Sequence, residues 1–256
     1  YNTYMKGNSM LRIFIGYDSR EHVPYEVCKH SIRRHSSAPV DIIKLEHREL
    51  RRQGLFDRPW RIEGDGQYWD TTDGKPFSTE FSHTRFLVPE ICRRNGMTEG
   101  WAMFCDSDFL FRGDVCELFD MVNNDYAVMC VKHDYNPDEG IKMDGMVQQN
   151  YNKKLWSSLV LWNIGHPKNN TMDRTKANHS DGSYLHQFGW LDNSDIGTLP
   201  HSWNYVPNVS PDTNVVKAVH YSLGGPWFRD YRETEYAKEW LNEVEHLNSI
   251  RGRFKI

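Results

Sequence analysis

The sequence lacks an excess of charge of either sign, and it lacks long apolar runs. Lys and Arg total 31 residues against 35 Asp and Glu, so the formal net charge is −4. Proteins that hold nucleic acid by its phosphates carry a basic surface, and we therefore expect no nucleic-acid partner. No apolar stretch approaches the ~20 residues of a transmembrane helix, and no signal peptide opens the chain. We therefore expect no transmembrane segment and a cytoplasmic location.

Cysteine is scarce, and its spacing is irregular. The five cysteines are Cys28, Cys92, Cys105, Cys116 and Cys130, and no two of them form a C-x-x-C pair. An odd number without that spacing predicts neither a disulfide framework nor a zinc ribbon. Because free cysteine is among the most frequently buried residues, we interpret these side chains as reduced thiols packed in the core.

The composition that remains is typical of a globular protein rich in aromatic residues. Hydrophobic residues make up 38% and aromatic residues 13% of the 256, which suffices for one large α/β domain. Residues 1–9 are polar and patternless, and we interpret them as an expression remnant or a disordered segment. Residues 10–256 are expected to form one domain.

Short apolar runs alternate with helical patterns along the chain. Strands are predicted at Leu11–Gly16, Val40–Leu45, Trp101–Cys105, Tyr126–Val131, Leu155–Trp162 and Val215–Tyr221, and helices after Pro24 and at His47–Gln53, Thr79–Arg94, Val115–Met121, Ser183–Leu191 and Glu233–Leu247. This alternation predicts an α/β fold, a single Rossmann-like domain with a mostly parallel central sheet flanked by helices. We interpret Leu55–Ser78 as an irregular excursion and Asp134–Lys154 as a long functional loop. Pro89 is expected to kink or end part of its helix.

The strongest local signal is Asp106-Ser107-Asp108, which directly follows the buried strand Trp101–Cys105. In extended backbone, residues two apart point to the same side, so both carboxylates face one point at the carboxyl edge of the sheet, where α/β proteins bind ligands. Two such carboxylates repel unless a cation lies between them, and oxygen ligands suit Mg²⁺ or Mn²⁺. An ordinary turn is the alternative, because Asp and Ser favour turns. The apolar residues on both sides of the triplet favour the metal site.

A second element, Val215–Phe228, carries a histidine from an apolar strand to a glycine-rich turn. His220 ends the strand, and Gly224-Gly225-Pro226-Trp227 follows. A lone histidine after a strand is more often structural than a ligand. Here the glycines let the backbone approach a ligand closely, and their N–H groups could meet phosphate oxygens. Two Asp oxygens and one His nitrogen would suit Mn²⁺ better than Ca²⁺.

The order of these motifs resembles that of the GT-A glycosyltransferases, in particular the glycogenin-like family eight of retaining enzymes. That family carries a strand-borne D-x-D and a distant H-[FY]-x-G…P-W segment, and similar segments stand here at 106–108 and 220–227. The resemblance spans about residues 11–230. It implies that Asp106, Asp108 and His220 bind Mn²⁺ or Mg²⁺, and that Ser107 lies at the donor.

Further segments extend the resemblance to the nucleotide. Gly16-Tyr17-Asp18 resembles the turn after the first strand that holds uracil and ribose, which implies that Tyr17 packs on the base and that Asp18 accepts a hydrogen bond. Arg85, in TRFLVPEI, matches the family's helix whose Arg reaches the donor. The resemblance also places Gly224, Gly225 and Trp227 at the donor.

The chain departs from the family's pattern at three places. Gly225 stands where the family has the Lys that meets the diphosphate, and the loop is one residue shorter. The family's N-[SA]-G segment appears as Trp156-Ser157-Ser158, so we expect Ser157 to face the donor sugar. The family's Asp-Gln pair near the acceptor has no clear counterpart, and His186 and Gln187 are our candidates for that role.

Taken with the motifs, the resemblance implies a metal-dependent glycosyltransferase. Such an enzyme would move a sugar from a UDP-sugar to a saccharide or other hydroxyl acceptor, and the resemblance alone implies retention at the anomeric carbon. A metal-dependent nucleotidyltransferase or phosphoryl-transfer enzyme is one alternative, because D-x-D also serves that chemistry. A non-catalytic carbohydrate-binding module is another, suggested by the 9 Trp residues.

Overall fold

The computed structural model describes residues 10–64, 66–135 and 152–251; the segment 1–9 and most of the predicted loop Asp134–Lys154 lie outside them. The strands are β1 Leu11–Tyr17, β2 Val40–Glu46, β3 Trp60–Glu63, β4 Gln67–Asp70, β5 Pro76–Phe77, β6 Trp101–Cys105, β7 Phe109–Phe111, β8 Val128–Cys130, β9 Leu159–Asn163, β10 Ile196–Thr198 and β11 Ala218–His220. The α-helices are α1 His22–His35, α2 His47–Arg52, α3 Val88–Arg94, α4 Cys116–Asp120, α5 Arg174–His179, α6 Gly182–His186 and α7 Ala237–Arg251. None of the helices in these ranges has the length and apolar character needed to cross a membrane.

Within the described residues, six strands form the central sheet, in the order β10-β8-β9-β6-β1-β2. β1 runs parallel to both β2 and β6, and β10 runs parallel to β8. β9 is antiparallel to its neighbours β6 and β8. The predicted α/β fold with a mostly parallel central sheet is therefore confirmed, with one strand reversed.

The core lies on both faces of this sheet. In β6, Ala102 and Phe104 belong to the hydrophobic cluster on one face, whereas Met103 and Cys105 belong to the cluster on the other. All five residues of β6 are buried. A strand that is covered on both faces needs apolar residues at every position rather than at alternate ones, which accounts for the continuous run WAMFC.

The reversed direction of β9 brings its first residues to the edge of the sheet where β6 ends. Leu159 pairs with Cys105, and the backbone N–H of Asp106 donates to the Ser158 carbonyl oxygen at 2.9 Å. A single 3₁₀ turn, Trp156–Ser158, comes directly before β9. The residues of this turn therefore lie beside the first aspartate of the D-x-D segment.

β7 and β11 form a separate two-stranded antiparallel sheet. In its register His220 lies opposite Phe109, the residue that follows Asp108. The Tyr221 N–H also donates to the Asp108 carbonyl oxygen at 3.0 Å. This pairing brings a histidine from late in the chain to the D-x-D segment.

The segment between Leu55 and Ser78 is more regular than expected, so the prediction of an irregular excursion was wrong. β3, β4 and β5 form a three-stranded antiparallel sheet. Arg58 anchors the segment: its Nε donates to Asp70 Oδ2 at 2.8 Å, and its Nη1 donates to the Ser180 carbonyl oxygen at 2.6 Å. Strands this short show no alternating pattern long enough to read from sequence.

Among the predicted helices that differ in extent, two do so for a clear local reason. The stretch Thr79–Arg94 holds a 3₁₀ turn followed by α3, and Pro89 lies in the first turn of α3, where its missing N–H costs no hydrogen bond. The expectation that Pro89 kinks or ends a helix was therefore wrong. The predicted helix Ser183–Leu191 ends at His186, because Phe188 takes the left-handed conformation with a φ of 54°.

The cysteines are free thiols, as the sequence predicts. Four of them are buried, and Cys116 is half-buried. Burial raises the pKa of the Cys92 thiol to about 12, which keeps it protonated and unreactive at neutral pH.

We predict that Arg58→Ala lowers the free energy of unfolding by roughly 3–5 kcal/mol, because it strips a buried carboxylate of its cation. Arg58 is 0% exposed and Asp70 1%. Urea denaturation followed by circular dichroism measures the loss. Arg52→Ala is the matched control, since Arg52 pairs with Glu49 on the exposed face of α2 and about 1 kcal/mol or less is expected there. Equal losses in the two variants would contradict the anchoring role of Arg58.

Candidate active site

Three side chains that could hold a metal ion converge at the carboxyl edge of the sheet. Asp106 and Asp108 follow β6, and His220 ends β11. One ligand atom from each of the three lies within 4.8 Å of the others. The carboxylates are 8% and 9% exposed and the histidine 1%, so the three form a nearly enclosed site. The sequence analysis predicted these three residues as metal ligands, and the structure brings their side chains together in a candidate metal triad.

The orientation of His220 suits a metal ligand. Its Nδ1 lies 2.8 Å from Asn204 Oδ1, and its ring stacks on Phe109 at 4.3 Å between centroids. The Asn204 amide nitrogen donates to Ser158 Oγ at 2.9 Å, so its oxygen is the acceptor and Nδ1 carries the proton. Nε2 then faces Asp108, whose Oδ1 lies 3.3 Å away. A hydrogen bond at the far nitrogen is the usual way to fix a ligating imidazole.

Asn204 is the functional candidate that the sequence analysis missed as a site residue. It is fully buried, and its side-chain amide is hydrogen-bonded to Ser158 at one end and to His220 at the other. Asn204 therefore connects the Trp156–Ser158 turn to His220. Its only signal in the sequence is that Leu199-Pro200…Trp203-Asn204 resembles a family segment L-P-x-x-[WF]-N. That resemblance does not indicate which side chain the amide contacts.

Arg85 lies against the first aspartate. Its Nη1 is 2.9 Å from Asp106 Oδ1 and donates to the Ser157 carbonyl oxygen at 2.9 Å. The guanidinium carbon lies 5.4 Å from the ring centroid of Phe81 and 5.1 Å from that of Phe104. Two aromatic faces and two hydrogen-bond acceptors hold this cation in place, so Arg85 offsets the charge of Asp106 at a fixed position.

Two cavities flank the metal triad. Asp106 and His220 line the first cavity, and Asp108 lines the second. The first cavity is also lined by His83, Arg85, Lys154, Ser157, Gly182 and His186, and the second by Glu21, Gly224 and Trp227. Ser78, Thr79 and Ser222 line both cavities. An ion on the triad would therefore stand between two compartments of one site.

Of the two predicted acceptor residues, the structure brings one into the site. His186 lines the first cavity, and its Nδ1 lies 2.8 Å from Ser157 Oγ. Burial, and then the nearby Arg85 guanidinium, hold the pKa of His186 well below its usual range, so the ring is neutral. Gln187 is half-buried and its amide turns back to donate to the Ser183 carbonyl oxygen at 3.1 Å, which directs it toward its own helix.

The predicted uracil turn is occupied by internal contacts. The Asp18 carboxylate is fully buried and accepts hydrogen bonds from Arg20 Nη2 at 2.7 Å and from the Glu80 N–H at 3.0 Å. Tyr17 packs edge-on against Tyr25 at 5.1 Å between ring centroids. A Cβ on Gly16 would meet the Phe81 ring at 2.4 Å, so this glycine makes room for a core side chain. Gly16, Tyr17 and Asp18 do not belong to the lining of either cavity.

Of the remaining predicted donor residues, Gly224 and Trp227 line the second cavity, whereas Ser107 and Gly225 do not belong to its lining. Ser107 is fully buried and its hydroxyl donates to Glu21 Oε2 at 3.3 Å. Gly224 has a φ of 131°, which other residues rarely adopt. A Cβ on Gly225 would lie 1.9 Å from the Trp227 ring, so glycine is required for Trp227 to fold over the turn. Gly224 therefore allows the backbone of the turn to take its shape, and Gly225 leaves room for the Trp227 ring in the cavity wall.

Comparison with known proteins adds a relative and a set of structural neighbours. No protein-family model matches the chain. Protein CDI of Arabidopsis thaliana is 46% identical over 242 residues, which cover 93% of this chain and 87% of CDI.

Solved structures that resemble this fold include glycosyltransferases. The bifunctional glycosyltransferase WbbM superimposes with a TM-score of 0.62 at 15% identity, over 97% of this chain and 52% of WbbM, so this chain spans about half of that protein. The galactosyltransferase LgtC, solved with donor and acceptor sugar analogs, superimposes with a TM-score of 0.54 at 13% identity, over 92% of this chain and 96% of LgtC. The chain thus has the GT-A fold, and its identity with CDI shows that it belongs to the CDI family.

Proposed function

We propose that the chain is a metal-dependent glycosyltransferase that moves a sugar, a hexose in the simplest case, from a UDP-sugar to the hydroxyl group of a saccharide or other acceptor. The observation that carries the proposal is the triad of Asp106, Asp108 and His220 at the carboxyl edge of a GT-A sheet, between two cavities. LgtC, which shares the fold, was solved with donor and acceptor sugar analogs. The resemblance to the glycogenin-like family eight extends the proposal to retention at the anomeric carbon.

The donor atoms of the triad fit a Mn²⁺ ion, or Mg²⁺ in its place. Two carboxylate oxygens and one imidazole nitrogen suit either ion and would leave it able to bind phosphate oxygens as well. When bound, the ion neutralises negative charge on the leaving diphosphate and orients it. Asp106 and Asp108 would hold it through Oδ atoms and His220 through Nε2, while Arg85 keeps Asp106 in position.

The two cavities would hold different parts of the donor. The second cavity would take the nucleotide, with the Trp227 ring as an apolar wall and the Glu21 carboxylate as an acceptor for ribose hydroxyls. The first cavity would take the transferred sugar, where Ser157 Oγ and His186 offer hydrogen bonds. Because the His186 ring stays neutral, it adds no charge beside the sugar and its protonation does not change near neutral pH.

A donor screen with Mn²⁺ tests the proposal. We expect UDP release from at least one UDP-sugar, loss of that release with EDTA, and a decrease of at least ~100-fold in His220→Ala, which lacks a metal ligand. His179→Ala is the matched control, because the side chain of His179 is exposed on α5; its activity should equal that of the wild type. Release of pyrophosphate would indicate phosphoryl-transfer chemistry, and sugar binding that needs neither metal nor nucleotide would indicate a binding module. Either result would contradict the proposal.

Asn204→Ala tests how His220 is positioned. We predict that this variant binds Mn²⁺ roughly 10- to 100-fold more weakly, because the imidazole loses the hydrogen bond that fixes its tautomer and orientation. Isothermal titration calorimetry with Mn²⁺ alone measures the change. Asn169→Ala is the control, since Asn169 is equally buried but donates to the carbonyl oxygens of Ala127 and Asn163. Unchanged Mn²⁺ affinity in a folded Asn204→Ala protein would show that Asn204 does not position the ligand.

A further inference from the structure

The three-stranded sheet of β3, β4 and β5 (the outer sheet) has one edge at the first cavity and the other at the surface. Among the described strands, β3 pairs with β4 alone, whereas β5 contributes Pro76 and Phe77 to the lining of the first cavity. Three of the four residues of β3 are exposed, and Ile62 is 64% exposed. An exposed strand edge is a template on which a further strand can pair.

The backbone of β3 turns the N–H and C=O groups of Ile62 away from β4. The Thr71 N–H donates to the Pro59 carbonyl oxygen at 3.1 Å, so these two residues are a hydrogen-bonded pair of the β3–β4 ladder. Bonded and non-bonded pairs alternate along an antiparallel ladder, and Arg61 is therefore the next residue of β3 that bonds to β4. The N–H and C=O groups of Ile62 point along the outer edge, where a further strand would lie.

Two opposite charges lie symmetrically about Ile62. Arg61 precedes it and Glu63 follows it, and the two side chains form an ion pair on one face of the outer sheet. The Arg61 guanidinium carbon also lies 5.7 Å from the ring centroid of Trp69, which helps to hold it on that face. An edge with charges of one sign would repel a second copy of itself. The β3 edge carries one charge of each sign, in an order that is complementary to its own reverse.

We propose that β3 pairs antiparallel with β3 of a second copy of the chain, about a two-fold axis at Ile62. In that register the Ile62 N–H of each copy donates to the Ile62 carbonyl oxygen of the other. Arg61 of each copy then lies opposite Glu63 of the other, at a non-hydrogen-bonded position, where side chains approach most closely and opposite charges attract. The two outer sheets become one six-stranded sheet.

A second copy suits this edge because one two-fold operation satisfies the backbone, the apolar side chain and both charges at once. The paired sheet would end at β5 of each copy, so it would connect the wall of one first cavity to that of the other. Four residues from each copy form a small interface, and we expect a weak dimer with a dissociation constant of roughly 10–100 μM. This dimer goes beyond the proposed function and does not depend on it.

Sedimentation velocity on the full chain tests the proposal over a concentration range of about 1 to 300 μM, in which the wild type should pass from monomer to dimer. Arg61→Glu and Glu63→Arg should each weaken the dimer at least ~10-fold, because each variant places like charges opposite one another twice. An equimolar mixture of the two variants should dimerise again, since every facing pair in the mixed dimer is of opposite charge. The double variant should dimerise for the same reason.

Arg52→Glu is the matched control, because it makes the same change of charge in an exposed ion pair with Glu49 on α2 and should leave the dimer unchanged. Circular dichroism checks that each variant is folded. Hydrogen exchange gives a second readout: the Ile62 amide should exchange more slowly at high protein concentration than at low. A wild type that stays monomeric, a dimer that Arg61→Glu leaves intact, or a mixture that associates no better than the single variants would each overturn the proposal, and UDP release would be unaffected by any of them.

Discussion

Two carboxylates buried side by side at the end of β6 set the electrostatic constraint on which the site depends. Asp106 and Asp108 are largely shielded from water, which therefore screens their repulsion poorly. Arg85 reaches Asp106 from the 3₁₀ turn before α3, and His220 reaches Asp108 from β11. These contacts join segments that are far apart in the chain, so only the complete fold assembles the site. A divalent ion would offset the charge of both carboxylates.

The reversal of β9 decides what surrounds these carboxylates. A parallel β9 would start at the opposite edge of the sheet, and its preceding turn would lie far from Asp106. Because β9 is antiparallel to β6, the Trp156–Ser158 turn stands at the carboxyl edge, where the Ser158 carbonyl oxygen accepts from the Asp106 N–H. The antiparallel direction of β9 thus places the turn before it in the wall of the first cavity.

The parts of the site that could be predicted from sequence are those encoded locally. Asp106 and Asp108 are flanked on both sides by apolar residues, so a short stretch of sequence is enough to single them out. His220 was assigned as a ligand through the resemblance of its segment to one in a known family. The direction of β9 could not be predicted, because LVLWN is apolar throughout and is equally suited to either direction. The role of Asn204 depends on a tertiary contact with Ser158, and the departure of Gln187 from the site depends on where a short helix ends.

The Trp156–Ser158 turn stands where the glycogenin-like enzymes have an N-[SA]-G segment, and its serines make contacts of their own. Ser158 Oγ donates to the Leu155 carbonyl oxygen at 2.6 Å and accepts from Asn204, which in turn holds His220. Ser157 Oγ lies within hydrogen-bonding distance of His186. One turn therefore contacts His186 directly and His220 through Asn204. Because both histidines depend on the same turn, their positions are not independent of each other.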